Sequence, residues 1–218
     1  MRIPQFAPIY RLFPTIALLL FTPVAPTSAQ APRHGAWSDM LGLGFGTASF
    51  SCDTCSSSPF LGGWTMSFAA GGTFNPHLRL GAEYRGWMNG FKRGEKLPGI
   101  DLVSLVLSYY PRPRGGPFGL IGAGLSHYAV CTGTGNPIEP CTRDPSYYAG
   151  WGWGLTLGAG WEIRTSAADG RMALRPILAF HHGGIRRLRS DSGATVATGW
   201  NQNLITLELR VLFNLVPR

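Results

Sequence analysis

Between residues 148 and 164 two kinds of side chain alternate without a break. Trp151, Trp153, Leu155, Leu157, Ala159, Trp161 and Ile163 hold one parity. Gly152, Gly154, Thr156, Gly158, Gly160 and Glu162 hold the other. A period of two is strand behaviour, because successive side chains on an extended backbone point to opposite faces. One face is therefore bulky and apolar over its whole length. The other is almost bare of side chains, yet it carries a carboxylate.

The same pattern recurs. Leu78, Leu80, Ala82 and Tyr84 oppose Arg79, Gly81, Glu83 and Arg85. Ile205, Leu207, Leu209, Val211 and Phe213 oppose Thr206, Glu208, Arg210 and Leu212. From residue 38 onward the chain divides into segments rich in β-branched, aromatic and glycine residues, separated by turn signals. Eight strands are expected, over 39–50, 60–71, 77–88, 99–110, 117–128, 148–164, 171–183 and 201–214. The faces of 99–110 and 117–128 are not assignable from alternation. Pro176 removes a ladder donor inside the seventh strand, so a bulge or local break is expected there.

The connections alternate in length. Long links cover 51–59, 89–98, 129–147 and 184–200, and short ones 72–76, 111–116 and 165–170. Long external loops, short periplasmic turns and an even strand count are the pattern of outer-membrane barrels. A composition of 30 glycines, 12% aromatic and only 14% charged residues agrees with membrane-facing strands.

The first 29 residues read as a signal peptide: Arg2 and Arg11, an apolar run from Leu12 to Phe21, then small residues at Thr27, Ser28 and Ala29. The run is too short for a spanning helix, which needs about 20 residues, and cleavage is expected after Ala29. No later segment supplies a spanning helix, since the apolar window 100–110 contains Asp101 and two serines. A membrane location then requires a closed barrel, because hydrocarbon offers no partner to an open sheet edge. The expected fold is all-β: a closed, eight-stranded, antiparallel, up-and-down transmembrane β-barrel over 30–218, in the cell outer membrane.

In such a barrel the apolar face meets lipid and the polar face turns inward. Arg79, Glu83, Arg85, Glu162, Arg164, Arg175, Glu208 and Arg210 all fall opposite the bulky apolar set. An arginine facing the bilayer midplane would cost about 2–4 kcal/mol. An inward ion-pair network of Glu83, Arg85, Glu162, Arg175, Glu208 and Arg210 is therefore expected. Eight strands enclose a lumen that side chains can fill, so the network would act as a plug. Gly42, Gly44, Gly152, Gly154, Gly158 and Gly160 suit the crowded interior. Trp64, Trp87, Tyr128, Tyr147, Tyr148, Trp151 and Trp200 are placed at one membrane rim. Tyr109, Tyr110, Phe118, Trp161 and Phe213 are placed towards the other.

Export implies an oxidising compartment, where Cys52, Cys55, Cys131 and Cys141 are expected as disulfides. Pairing within each loop, Cys52–Cys55 and Cys131–Cys141, is the economical pattern, and crossed pairing between the two loops is the alternative. Cys52-Asp-Thr-Cys55 has redox or zinc spacing, but there is no thioredoxin-like context and no second ligand pair. No cofactor and no metal are expected. Of His181 and His182, one is expected inward with Arg175 and the other at the rim. Ser126 and His127 are neighbours and point to opposite faces. No His-x-Ser pair and no acid at a matching height accompany them, so no catalytic residue is assigned. The formal charge of +8 includes Arg2 and Arg11. The clusters Arg112/Arg114 and Arg186/Arg187/Arg189 suit anionic head groups, and an exported chain does not meet nucleic acid.

The stretch 103–113 reads Val-Ser-Leu-Val-Leu-Ser-Tyr-Tyr-Pro-Arg-Pro and is followed by Gly-Gly-Pro-Phe-Gly-Leu-Ile-Gly-Ala-Gly at 115–124. With 154–162, Gly-Leu-Thr-Leu-Gly-Ala-Gly-Trp-Glu, it resembles the strand–turn–strand units of the small outer-membrane β-barrel proteins typified by the OmpA transmembrane domain and OmpX. The resemblance covers the whole mature chain. It implies a monomeric, non-enzymatic membrane protein in contact with outer-membrane lipid and lipopolysaccharide, meeting extracellular ligands through its four long loops. A narrow, porin-like channel for small or apolar solutes is the competing reading, a lipid A-modifying enzyme the third, and a soluble lipocalin-like binder the rival fold.

Overall fold

The structure, a computed structural model, describes residues 36–55, 57–91, 93–112, 116–134, 141–142, 147–164 and 172–214. The signal segment 1–29 and the turn at 165–170 lie outside these residues. Eight long strands follow one another: β1 (Ala36–Ser51), β2 (Leu61–Asn75), β3 (Leu78–Met88), β4 (Lys96–Tyr109), β5 (Gly116–Gly133), β6 (Tyr148–Arg164), β7 (Met172–Ser190) and β8 (Thr195–Asn214). A two-residue segment, Cys141–Thr142, pairs with the end of β5.

Every consecutive pair of long strands is antiparallel, from β1–β2 round to β7–β8. β8 then returns to β1 along a ladder from Trp37↔Asn214 to Ser51↔Asn201. The ring is closed, and no long strand is left with an unpaired edge. β1 begins and β8 ends at the rim of the short turns. One of those turns is set locally: Asn75 Oδ1 accepts hydrogen bonds from the backbone N–H of His77 (2.8 Å) and Leu78 (2.9 Å).

The strands are longer than alternation alone suggests at the long-loop end. Residues 184–200 are not a loop. β7 and β8 continue through most of that stretch as a paired ribbon, with register contacts up to Arg189↔Thr195. Only 191–194 turn, with Gly193 at φ +84° and its N–H bonded to Ser190 O at 2.9 Å. The link 89–98 likewise shortens as β4 begins at Lys96 and pairs with Thr132. Pro176 gives a local break without a bulge: against β8, Arg175↔Arg210, Pro176↔Leu209 and Ile177↔Glu208 run on without a shift, whereas the ladder to β6 is interrupted between Gly160↔Ile177 and Ile163↔Leu174. The register shifts instead near residues 39–42, 73–75, 149–153 and 188–189.

The faces are inverted relative to a soluble barrel. Leu105 is 66% exposed and Leu207 62%, whereas Glu208 is 2% exposed and Arg210 1%. β4 turns Leu102, Ser104, Val106 and Ser108 inward and Val103, Leu105, Leu107 and Tyr109 outward. β5 turns Ile121, Ala123 and Leu125 outward. The ten residue steps from Trp151 to Trp161 on β6 cover roughly 33 Å of strand at about 3.3 Å per residue. At a barrel tilt of about 40° this is a height of roughly 25 Å, which matches the apolar band of an outer-membrane barrel.

Several aromatics assigned to the rim face inward instead. Trp87, Tyr128 and Trp200 are buried within the barrel with Phe50, Ile100, Leu102 and Leu204, and Phe118 packs inside on Tyr110 at the other end. A barrel taller than the membrane has a loop-side interior that nothing else fills, and these rings occupy it. The interior is thus polar in its middle and apolar towards the loops.

Candidate functional site: the barrel interior and its outer rim

The central layer of the interior is a four-membered ring of alternating charge. Glu83 and Arg85 come from β3 and Glu208 and Arg210 from β8, each pair two residues apart and so on one face. Arg85 Nη2 lies 2.9 Å from Glu83 Oε1 and its Nε 3.0 Å from Glu208 Oε1. Arg210 Nη1 lies 2.6 Å from Glu83 Oε2 and its Nη2 3.0 Å from Glu208 Oε2. The contacts of Arg85 Nε and Nη2 are charge contacts rather than aligned hydrogen bonds. Each carboxylate therefore touches both guanidiniums, and the four formal charges cancel. Ser67 donates to Glu208 Oε2 at 2.8 Å, and Arg85 Nη1 reaches Thr206 Oγ1 at 3.4 Å.

The neighbouring wall makes room for these long side chains. Gly42 pairs with Arg210 and Gly44 with Glu208. A Cβ at Gly42 would lie 2.6 Å from Arg210 Cγ, and one at Gly44 2.7 Å from Glu208 Cα. The inward glycines of β1 thus let the arginine stem cross the lumen.

A second polar group lies nearer the turn rim. Arg79 Nη1 is 2.7 Å from Glu162 Oε2, and Arg164 Nε reaches Glu162 Oε1 at 3.2 Å. The Arg79 guanidinium stands 4.3 Å over the Tyr110 ring, and that of Arg175 4.4 Å over Phe118. The six acidic and basic residues singled out from the sequence therefore separate into two groups. Glu83, Arg85, Glu208 and Arg210 form the ring, while Glu162 and Arg175 sit with Arg79 below it.

The histidines differ from expectation. His181 is buried, with Nδ1 2.8 Å from Thr156 Oγ1 and 3.4 Å from Arg85 Nη1, so its neighbour is Arg85 rather than Arg175. His182 is on the outer wall below the rim, with Nδ1 2.8 Å from Asn203 Oδ1. An acid does accompany His127. Asp101 is its direct cross-strand partner, with Oδ2 3.1 Å from His127 Nδ1, and Tyr84 donates to Asp101 Oδ1 at 2.7 Å. His127 also stacks on Trp151, centroids 4.4 Å apart. Poor alternation in 99–110 hid the face of Asp101, and with it this pair. Ser126 is on the inner face, hydrogen-bonded by Gln202 Nε2, so His127 has no serine on its own face of β5.

Towards the loops the ring gives way to stacked aromatics. Phe50 lies 5.0 Å from Tyr128 and 5.6 Å from Trp200 between centroids, and Tyr128 lies 4.5 Å from Trp200. Above them Cys52 and Cys55 form a disulfide. Cys131 is disulfide-bonded as well; the side chain of Cys141 lies outside the described residues. No group of metal-ligating side chains occurs among the described residues.

A closed antiparallel ring whose exterior carries a broad apolar band of membrane height, with the Glu83, Arg85, Glu162, Glu208 and Arg210 charges buried inside it, defines an outer-membrane β-barrel protein. No family model and no curated protein matches the chain. Among solved structures it is similar to Neisserial surface protein A, with TM-score 0.49 and 15% identity over 82% of this chain and 98% of that one. It is also similar to Ail, the attachment invasion locus protein of Yersinia pestis, in complex with the heparin analogue sucrose octasulfate. That match has TM-score 0.47 and 10% identity, over 83% and 100% of the two chains. A third is the outer membrane protein OprG of Pseudomonas aeruginosa, with TM-score 0.41 and 10% identity, over 87% and 100%.

Proposed function

We propose that the chain is a non-enzymatic integral outer-membrane protein with a structural or surface-interaction role, and that its barrel does not conduct. The observation that carries this reading is the stacking of three fillings along one lumen. Arg79 with Glu162 lies near the turns, the Glu83–Arg85–Glu208–Arg210 ring in the middle, and Phe50, Trp87, Tyr128 and Trp200 towards the loops. An ion crossing the barrel would have to displace a neutralised, desolvated ring and then an apolar stopper. Both are costly, because a separated buried charge is left uncompensated and close-packed rings leave little void.

In this reading residues 1–29 are the signal peptide, removed after Ala29, and 30–218 form the barrel domain. The closed ring offers no strand edge to a second copy, so the protein works as a monomer among outer-membrane lipid and lipopolysaccharide. Contact with extracellular molecules falls to the loops and to the β7–β8 ribbon, braced by disulfides at Cys52–Cys55 and Cys131. The Asp101–His127 pair is a structural contact within the wall rather than a catalytic one: the hydroxyl bonded to it is the Tyr84 phenol, which donates to Asp101 and not to His127.

Reconstitution of the purified barrel into a planar bilayer tests the reading. The expected result is no unit conductance above the bare membrane at moderate voltage. Reproducible single-channel steps would replace it with the porin-like alternative.

A further inference from the structure

A bulge in the outer wall turns two consecutive arginines to the exposed side of β7. Between Ala149↔Arg189 and Trp153↔Gly184, three residues of β6 face four of β7. The extra residue is accommodated on β7, where Ile185 and Leu188 are both buried and the two residues between them, Arg186 and Arg187, are both exposed. In an unbroken strand one of that pair would point into the barrel. The bulge instead sends both guanidiniums outward beside the exposed Trp151, with Arg189 following on the same strand. None of the three arginines makes an ion pair or side-chain hydrogen bond with a described residue.

Their height is fixed by register. Asp101, His127 and Trp151 form one outward row across β4, β5 and β6, and the bulge continues that row onto β7. Trp151 is the outermost exposed ring of the apolar band on β6, so the arginines stand where head groups lie. Two rows lower, Leu105, Ala123 and Leu155 are cross-strand partners, and the row beneath them is Leu107, Ile121 and Leu157. Ala123 is small among large neighbours, and an apolar groove of about 560 Å³ opens along these two rows on the same wall. Four residues of strand, roughly 13 Å at about 3.3 Å per residue, separate the groove from the polar row. An acyl chain hanging from a head group at the arginines spans that distance.

We infer that Arg186, Arg187 and Arg189, with Trp151 and the groove around Ala123, bind one phosphorylated glycolipid of the outer leaflet, phosphate at the arginines and acyl chain in the groove. Arginine matches phosphate in charge and in fork geometry. Asp101 engages His127 Nδ1, which leaves the other ring nitrogen available to a hydroxyl of a sugar head group. The inference rests on the membrane reading above but not on whether the lumen is closed.

The test is native mass spectrometry of the purified full barrel in detergent, mixed with bisphosphorylated lipid A or with the same lipid enzymatically dephosphorylated. Two variants accompany it, Arg186→Ser/Arg187→Ser/Arg189→Ser and Ala123→Trp. All four positions are surface sites, and heat-modifiable migration on gels checks that each variant is folded. The expected result is a preference of about tenfold or more for the phosphorylated lipid, on the scale of one charge-assisted contact. The triple serine variant should erase this preference, and Ala123→Trp should weaken both lipids while keeping the ratio. Soluble glucosamine phosphates should bind far less than the lipid, since they cannot use the groove. Equal binding of the two lipids by the unmodified protein, or an unchanged preference in the triple variant, would overturn the inference. So would competition by soluble glucosamine phosphate at equal concentration. A conducting barrel that still prefers the phosphorylated lipid would sink the sealed-lumen reading and leave this one standing.

Discussion

Arg210 on β8 reaches Glu83 on β3 at 2.6 Å, although β1 and β2 separate those strands in the ring and no ladder joins them. The contact braces one wall of the barrel against another. Because each carboxylate also touches Arg85, the four groups should behave as one unit. Replacing one charge leaves a buried partner uncompensated, so Glu83→Gln is expected to cost about 3–5 kcal/mol. Adding Arg210→Met restores neutrality to the remaining Arg85–Glu208 pair. The double variant should therefore lose at least about 1 kcal/mol less than the two singles together. Urea unfolding in lipid vesicles measures all three, and strictly additive losses would show that the ring is only a set of independent pairs.

Gly44 and Gly62 provide a paired test of the space the ring needs. A Cβ at Gly44 would press on the β8 backbone at Glu208, whereas nothing lies within 4 Å of one at Gly62. Backbone cannot step aside as a flexible side chain can. Gly44→Ala is expected to lose about 1–3 kcal/mol by overpacking, and Gly62→Ala to stay within about 0.5 kcal/mol of the parent. The same unfolding measurement decides it, and equal losses at the two positions would refute the steric account.

How much of this could be read from the residues follows from what alternation encodes. On β3, β6 and β8 the inner parity carries charges or glycine and the outer parity carries large apolar groups, so the faces and the inward charges were legible. On β4 and β5 the inner parity mixes Leu102, Val106 and Leu120 with Ser104, Ser108 and Ser126. Hydrophobicity then no longer separates inside from outside, and Asp101 and His127 were missed as partners. The loop-side aromatic cluster inside the barrel was hidden for a related reason. A ring such as Trp87 or Trp200 near a strand end suits the membrane rim and the barrel interior equally well, and only the register decides between them. The length of β7 was hidden because Gly183, Gly184 and the arginines after them read as loop residues, while tertiary pairing with β8 holds them extended.

Leu105 tests the outward face directly. It is exposed in mid-wall, beside Ala123, with the membrane as its only cover. Leu105→Arg is expected to destabilise the barrel in vesicles by about 2–4 kcal/mol, the cost of a cation near the midplane of a barrel's lipid face. The same substitution at Thr47, outward on β1 near the loop end, should cost about 1 kcal/mol or less. A cost at Leu105 no larger than at Thr47 would mean that this wall does not face hydrocarbon.

Trp200 tests the proposal of a closed lumen. Its ring stacks with Phe50 and Tyr128 and is 9% exposed. Trp200→Ala removes one ring of the aromatic cluster and should lower unfolding stability by about 3–5 kcal/mol, as for other large-to-small core changes. It should nonetheless leave the planar-bilayer conductance at background. The Glu83–Arg85–Glu208–Arg210 ring and the Arg79–Glu162 pair still cross the lumen beneath the new void, and an ion entering it would meet a neutralised ring rather than an open path. If Trp200→Ala alone produced stable single-channel steps, the charges would have to leave a continuous gap around themselves. The barrier would then reside in the aromatic layer, and the ring would serve stability only.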